Sequence, residues 1–207
     1  MKSIILFSAL LLTLAACQSN STPPVAQEAA APPKPPVPQP APASGLEAPN
    51  PERIQDSMVT VNGQLHRELT TQALERQMGR PDRIEKGAVE CGSQLDLPID
   101  APEGDWWFYG KTMYEVNGTQ ALLHSFDVTT GKFAGKLGKL TLDQNTTLED
   151  VRRYYPVSVK QAEEQGTSRD EQTISLPFEY QGEMSDESLS LLFKNGRLQE
   201  VEFFFPC

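Results

Sequence analysis

Three stretches near the end of the chain alternate apolar and polar residues with a period of two. In "ISLPFEY" Ile174, Leu176, Phe178 and Tyr180 share one side, and in "LSLLF" Leu189, Leu191 and Phe193 do the same. In "LQEVEFFF" Val201, Phe203 and Phe205 face away from Leu198, Glu200, Glu202 and Phe204. Such alternation predicts antiparallel strands with one face on the core and the other left free. "MYEVNGTQALLHSFDV" and "LSLLFKNGRLQEVEFFF" each bend at Asn-Gly, at 117–118 and 195–196, the strongest short hairpin signal. "DWWFYG" sets Trp106 and Phe108 on one side with Trp107 and Tyr109 on the other, and parity leaves open which tryptophan is buried.

The pattern changes period in two places. "LTTQALERQMGRP" carries Leu74 and Met78 four apart behind Thr70 and Thr71, and stops at Gly79 and Pro81. "NTTLEDVRRYYP" carries Leu148, Val151 and Tyr155 behind Thr146 and Thr147, and stops at Pro156. Both predict short amphipathic helices, the second with Thr147 and Asp150 at capping-box spacing. Thr70 and Thr147 lie 77 residues apart, and Asn117 and Asn195 lie 78 apart. The shared offset predicts an α+β fold of two tandem helix-then-antiparallel-strands repeats, residues 52–139 and 140–207, with helices covering one sheet face.

Residues before 52 belong to another class. "MKSIILFSALLLTLAAC" has Lys2, an apolar run from Ile4 to Leu14, and Ala15 and Ala16 before Cys17. Residues 1–16 thus read as a secretion signal, too short to cross a bilayer. Residues 17–51 are dominated by proline and alanine and read as a tether of polyproline II character. At about 3.1 Å per residue, roughly 34 residues reach on the order of 100 Å.

Charge narrows the partners. The chain carries 28 acidic against 18 basic residues, a net of −10. Lys2 and Lys34 are offset by Glu28 and Glu47, so the whole excess sits in residues 52–207. That field argues against nucleic acid and against general adhesion to anionic lipid, and it admits a basic partner. Lys132, Lys136 and Lys139 in "GKFAGKLGKLT" make the one basic patch, a candidate contact for lipid phosphate. The run fails phosphate-loop spacing and otherwise reads as a connector.

Candidate chemistry is sparse. His66 and His124 lack any ligand spacing, and G-x-S-x-G, H-E-x-x-H and C-x-x-C are all missing. His124 adjoins Ser125, but neighbours on a regular strand face opposite ways, which argues against a hydrolytic pair. Asp96, Asp100, Glu103 and Asp105 lie among Pro and Gly and read as a solvated loop, without the denser Asp/Asn alternation of a calcium loop. No catalytic residue, metal or cofactor is expected.

At this point the residues resemble a family. "QMGRPDR", with Gly79, Pro81 and Asp82, followed by "DWWFYG" and by "LLHSFDVTTGK", with Phe126, Asp127 and Gly131, resembles the small outer-membrane lipoproteins of the SmpA/OmlA/BamE type. The doubled pattern, with "LEDVRRYYP" opening the second copy, is similar to the tandem arrangement of the beta-lactamase inhibitor protein. Leu14-Ala15-Ala16-Cys17 likewise resembles a lipobox. The resemblance implies a lipidated Cys17 and a membrane contact through the lipid anchor. Gln18, in place of a retaining Asp, implies the outer membrane, facing the periplasm or the cell exterior. It also implies a non-enzymatic scaffold in envelope assembly or maintenance, which binds a periplasmic or outer-membrane protein. The alternative is an inhibitor of a lysozyme, protease or beta-lactamase. Trp107, Tyr109, Glu200, Glu202 and Phe204 are the candidate binding surface. With the Cys17 sulfur acylated, Cys91 and Cys207 remain and are expected to form a disulfide in an oxidising compartment.

Overall fold

The computed structural model describes residues 50–64, 67–89, 93–95, 97–98, 100–165 and 170–206, and every alternating segment among them becomes a strand. Cys17, Cys91 and Cys207, with the expected lipidation and disulfide, lie outside the described residues. So do the leader, most of the tether, His66 and Asp96. The elements run β1 (Val59–Val61), β2 (Glu68–Thr70), α1 (Thr71–Met78), β3 (Arg83–Glu85), β4 (Asp105–Tyr109), β5 (Thr112–Asn117) and β6 (Gln120–Asp127). They continue with β7 (Gly135–Leu137), β8 (Leu140–Leu142), α2 (Leu148–Tyr154), α3 (Pro156–Glu164), β9 (Glu171–Tyr180), β10 (Glu183–Lys194) and β11 (Arg197–Phe204).

The expected pair of repeats is overturned. Strand outweighs helix, 46% against 18%, and one eight-stranded sheet dominates in place of two separately covered units. Its order is β3-β4-β5-β6-β11-β10-β9, with β2 also on β6. Residues Leu46–Cys207 make one compact unit, and the boundary expected at 139/140 falls at the tip of the β7–β8 hairpin. The physical reason is edge pairing. β6 bonds antiparallel to β11 through Phe126 opposite Val201, so sequence neighbours on both sides of the supposed boundary merge into a single ladder. "GKFAGKLGKLT" is no mere connector either, because it builds β7 and starts β8 of a small sheet with β1. Gly135 passes so close to Phe126 that an added Cβ would stand 2.8 Å from the ring and 3.1 Å from the Thr60 carbonyl. Lys132, Lys136 and Lys139 are exposed on this hairpin.

The helix signals mostly hold. Thr70 accepts a hydrogen bond from Ala73 N at the head of α1, and Gly79 ends that helix with φ 81°. Thr147 and Asp150 form the reciprocal capping box of α2. α2 ends before Pro156 as expected, and the proline also opens a further helix, α3, at the first helical position, where a missing N–H costs nothing. The Glu52 carboxylate, just after the tether, accepts from the N–H groups of Val157 and Ser158 at the head of α3. Ile54 then adds a parallel bridge to Phe178 on β9.

One face of the large sheet carries the core. Tyr114, Leu123, Val201, Phe203, Leu189, Leu191, Ile174 and Leu176 are buried there. Leu74 of α1, Val151 of α2 and Val159 of α3 join the same apolar cluster. Two parity expectations fail. Leu198 is buried, because a bulge at Gln199 lets Phe193 pair with Leu198 while Leu192 pairs with Glu200. Tyr180, at the end of the β9–β10 hairpin, is 72% exposed. Among the described residues no helix is long and apolar enough to cross a membrane.

Candidate functional site

Register, more than sequence order, assembles the other face of the sheet. Reading across the strands, Phe108 pairs with Met113, Met113 with Ser125, Ser125 with Glu202, Glu202 with Ser190 and Ser190 with Ser175. The next row is Asp127, Glu200, Leu192 and Thr173. A further row holds Phe204, Ser188 and Pro177. Cross-strand partners share a face, so these residues stand together on the side away from the helices.

The five proposed binding residues divide between the two faces. Glu200, Glu202 and Phe204 stand on this open face, and Phe204 is 43% exposed. Trp107 and Tyr109 stand on the opposite face. Trp107 packs against the core, and Tyr109 is buried with its ring 5.9 Å from Tyr114. The Tyr109 hydroxyl donates to the Gly79 carbonyl at 3.1 Å, tying the end of α1 to the sheet. Its pKa is pushed up to about 12, first by burial and then by Glu75 and Asp82. Both side chains therefore belong to the structure of the wall, and Trp106 is the tryptophan of the open face.

A loop roofs part of that face. Trp106 Nε1 donates to the Ala88 carbonyl, and Gly104 lets Val89 approach closely. Glu115, on the same face as Trp106, is 1% exposed; its carboxylate accepts from the Ser93 hydroxyl and from Gln94 N. Asp105 accepts from Gly87 N at the loop's start. Of the acidic loop residues, Asp105 thus serves the roof, and no cluster of three or more metal-ligating side chains exists among the described residues.

Beyond the roof the sheet holds a groove of about 170 Å³, lined by Met113, His124, Ser125, Leu192, Glu200 and Glu202, with Thr173 and Ser190 beside them. His124 enters it because β6 is bulged. Met113 pairs with Ser125 while Tyr114 pairs with Leu123, leaving His124 as the extra residue. The bulge lies where the edge of β6 passes from β2, paired with residues 120–122, to β11, paired with residues 125–127. So His124 and Ser125 line one groove, against the expectation from regular parity. His124 Nε2 stands 3.5 Å from the Glu202 carboxylate, and its ring lies 4.9 Å from Trp106. His124 Nδ1 and the hydroxyl of Ser125 have no hydrogen-bond partner, although both atoms are buried.

Although both line the groove, His124 makes no hydrogen bond to the Ser125 hydroxyl. His124 and Ser125 were not among the expected binding residues because no sequence signal marks a bulge at His124, and Trp106 was not among them because parity left open which tryptophan is buried. Compared with protein-family models, with curated proteins and with solved structures, the chain finds no match.

Proposed function

We propose that this chain is a lipid-anchored outer-membrane protein that works without catalysis, binding another envelope protein through the unroofed part of its sheet. The lipobox-like Cys17 and the proline-rich tether support the anchor and its reach. The observation that carries the binding role is the open face itself. Glu200, Glu202 and exposed Phe204 stand together on β11, beside a groove with unmet hydrogen-bonding capacity. Buried polar atoms ordinarily find a partner, so those that line the groove have capacity to bond a ligand. An aromatic beside a polar groove is the usual composition of a binding anchor.

Photocrosslinking in intact cells tests this. A photoreactive residue replacing Phe204 or Ser190 in the full lipidated chain should give one discrete protein adduct. The same group at Lys160, exposed on α3 behind the sheet, should give none. Equal adducts from both faces, or none from the open face, would sink the reading.

A further inference from the structure

We infer that the groove beside Ser125 and Glu202 is the seat of a lysine or arginine side chain presented by the partner protein. The inference rests on the binding role proposed above and gives that role its chemistry. Charge comes first. Glu200 and Glu202 both line the groove, no lysine or arginine does, and the chain as a whole carries −10. Glu202 faces only His124, and Glu200 makes no ion pair among the described residues. An anionic ligand would be repelled by both carboxylates, and a metal would need more ligands than the described residues bring together.

A second observation is independent of charge. Ser125 is 1% exposed, yet its hydroxyl lines the groove without a partner. A buried polar atom left unmet is costly, and a cationic N–H group entering the groove would supply the missing bond. Met113 and Leu192 flank the position with apolar surface suited to the methylene stem of a long cationic side chain. The adjoining cleft differs. There Lys111 and Lys194 stand with Asp127, Glu171 and Glu200, so Glu200 is shared between the two clefts and Glu202 lines only the one without a lysine or arginine. The preference for an incoming cation is therefore local to the Ser125–Glu202 side.

Calorimetric titration of acetylated tetralysine amide into the full lipidated chain in non-ionic detergent, at about 0.1 M salt, provides the test. The double variant Glu200→Gln/Glu202→Gln should bind at least about tenfold more weakly. The double variant Glu75→Gln/Glu164→Gln removes the same charge from the helical side and should change affinity by no more than about twofold. Ser125→Ala should weaken binding by about threefold while leaving the fold at least as stable, since it deletes an unmet buried hydroxyl. Equal losses from both double variants would assign binding to the overall negative field. Unchanged affinity in Ser125→Ala, or no binding by the unaltered chain, would equally overturn the inference. In each of these cases a surviving adduct from Phe204 would show that the protein-binding role stands without this seat.

Discussion

Glu115 and Glu202 stand on the same face of one sheet, yet their surroundings have little in common. Glu115 is 1% exposed and accepts two hydrogen bonds from the 93–94 segment. The Glu202 side chain is 42% exposed and faces a single imidazole at 3.5 Å. Both were placed by the same alternation of apolar and polar residues. The difference comes from the described residues between β3 and β4, of which Ala88, Ser93 and Gln94 bond to Trp106 and Glu115, while Glu202 receives no such cover among the described residues. One carboxylate is tied into the loop, and the other is left largely open to solvent. A buried carboxylate with donors around it holds a loop in place, whereas an exposed one with unmet neighbours contributes little to stability and is free to be recognised.

The largest test of this contrast sets neighbouring residues of β11 against each other. Phe203 is buried and stacks on Phe178 with ring centroids 6.3 Å apart, while Phe204 projects from the bare face. Phe203→Ala should lower unfolding free energy by about 3–5 kcal/mol in urea titration. Phe204→Ala should cost about 1 kcal/mol or less, because its ring is only partly covered. Comparable losses would mean that the two faces are not distinct.

Next in size is the pair of glutamates. Glu115→Ala strips the roof of its acceptor and should cost about 1–3 kcal/mol, with faster proteolysis inside residues 87–104. Glu202→Ala should stay within about 0.5 kcal/mol of the parent protein. A stable, protease-resistant Glu115→Ala variant would break the comparison.

Glu187 lies between these extremes. It sits in a β10 bulge where residues 185–187 face Phe178 alone. Its carboxyl pKa is raised, chiefly by burial, with Asp186 and Asp56 adding to the shift and Arg67 opposing it. The folded state therefore holds this proton more tightly than the unfolded chain, and the associated stability is lost as pH rises through the folded pKa. Glu187→Gln should thus gain stability over the parent at neutral pH, by less than about 0.5 kcal/mol after solvent screening. The gain should vanish below about pH 4, where the parent is protonated in both states. A gain that persists in acid would assign the effect to packing.

Much of the fold was legible because its causes are local. Thr70 and Thr147 cap helices, Gly79 ends one, and Asn195-Gly196 makes a hairpin turn with φ 51° and 72°. The first Asn-Gly is displaced by one position. Asn117 still pairs with Gln120, and Gly118 and Thr119 form the turn. Of the expected binding residues, Glu200, Glu202 and Phe204 lie on the bare face, whereas Trp107 and Tyr109 lie on the face that the helices cover, because parity alone does not say which face a helix will cover.

Alternation, capping residues and turn glycines acted within a few residues of themselves, and that is why the sequence by itself determined β4 to β6, β9 to β11 and the starts of α1 and α2. Pairing of β6 with β11 joins residues 75 apart, from Phe126 to Val201, and only the tertiary structure decided it. Tertiary pairing also decided the bulges at His124, between β5 and β6, and at Gln199, between β10 and β11, which brought His124 beside Ser125 and turned Leu198 inward. A bulge is the slack left when two strands with separate constraints are brought into one register, so it is written in neither strand alone.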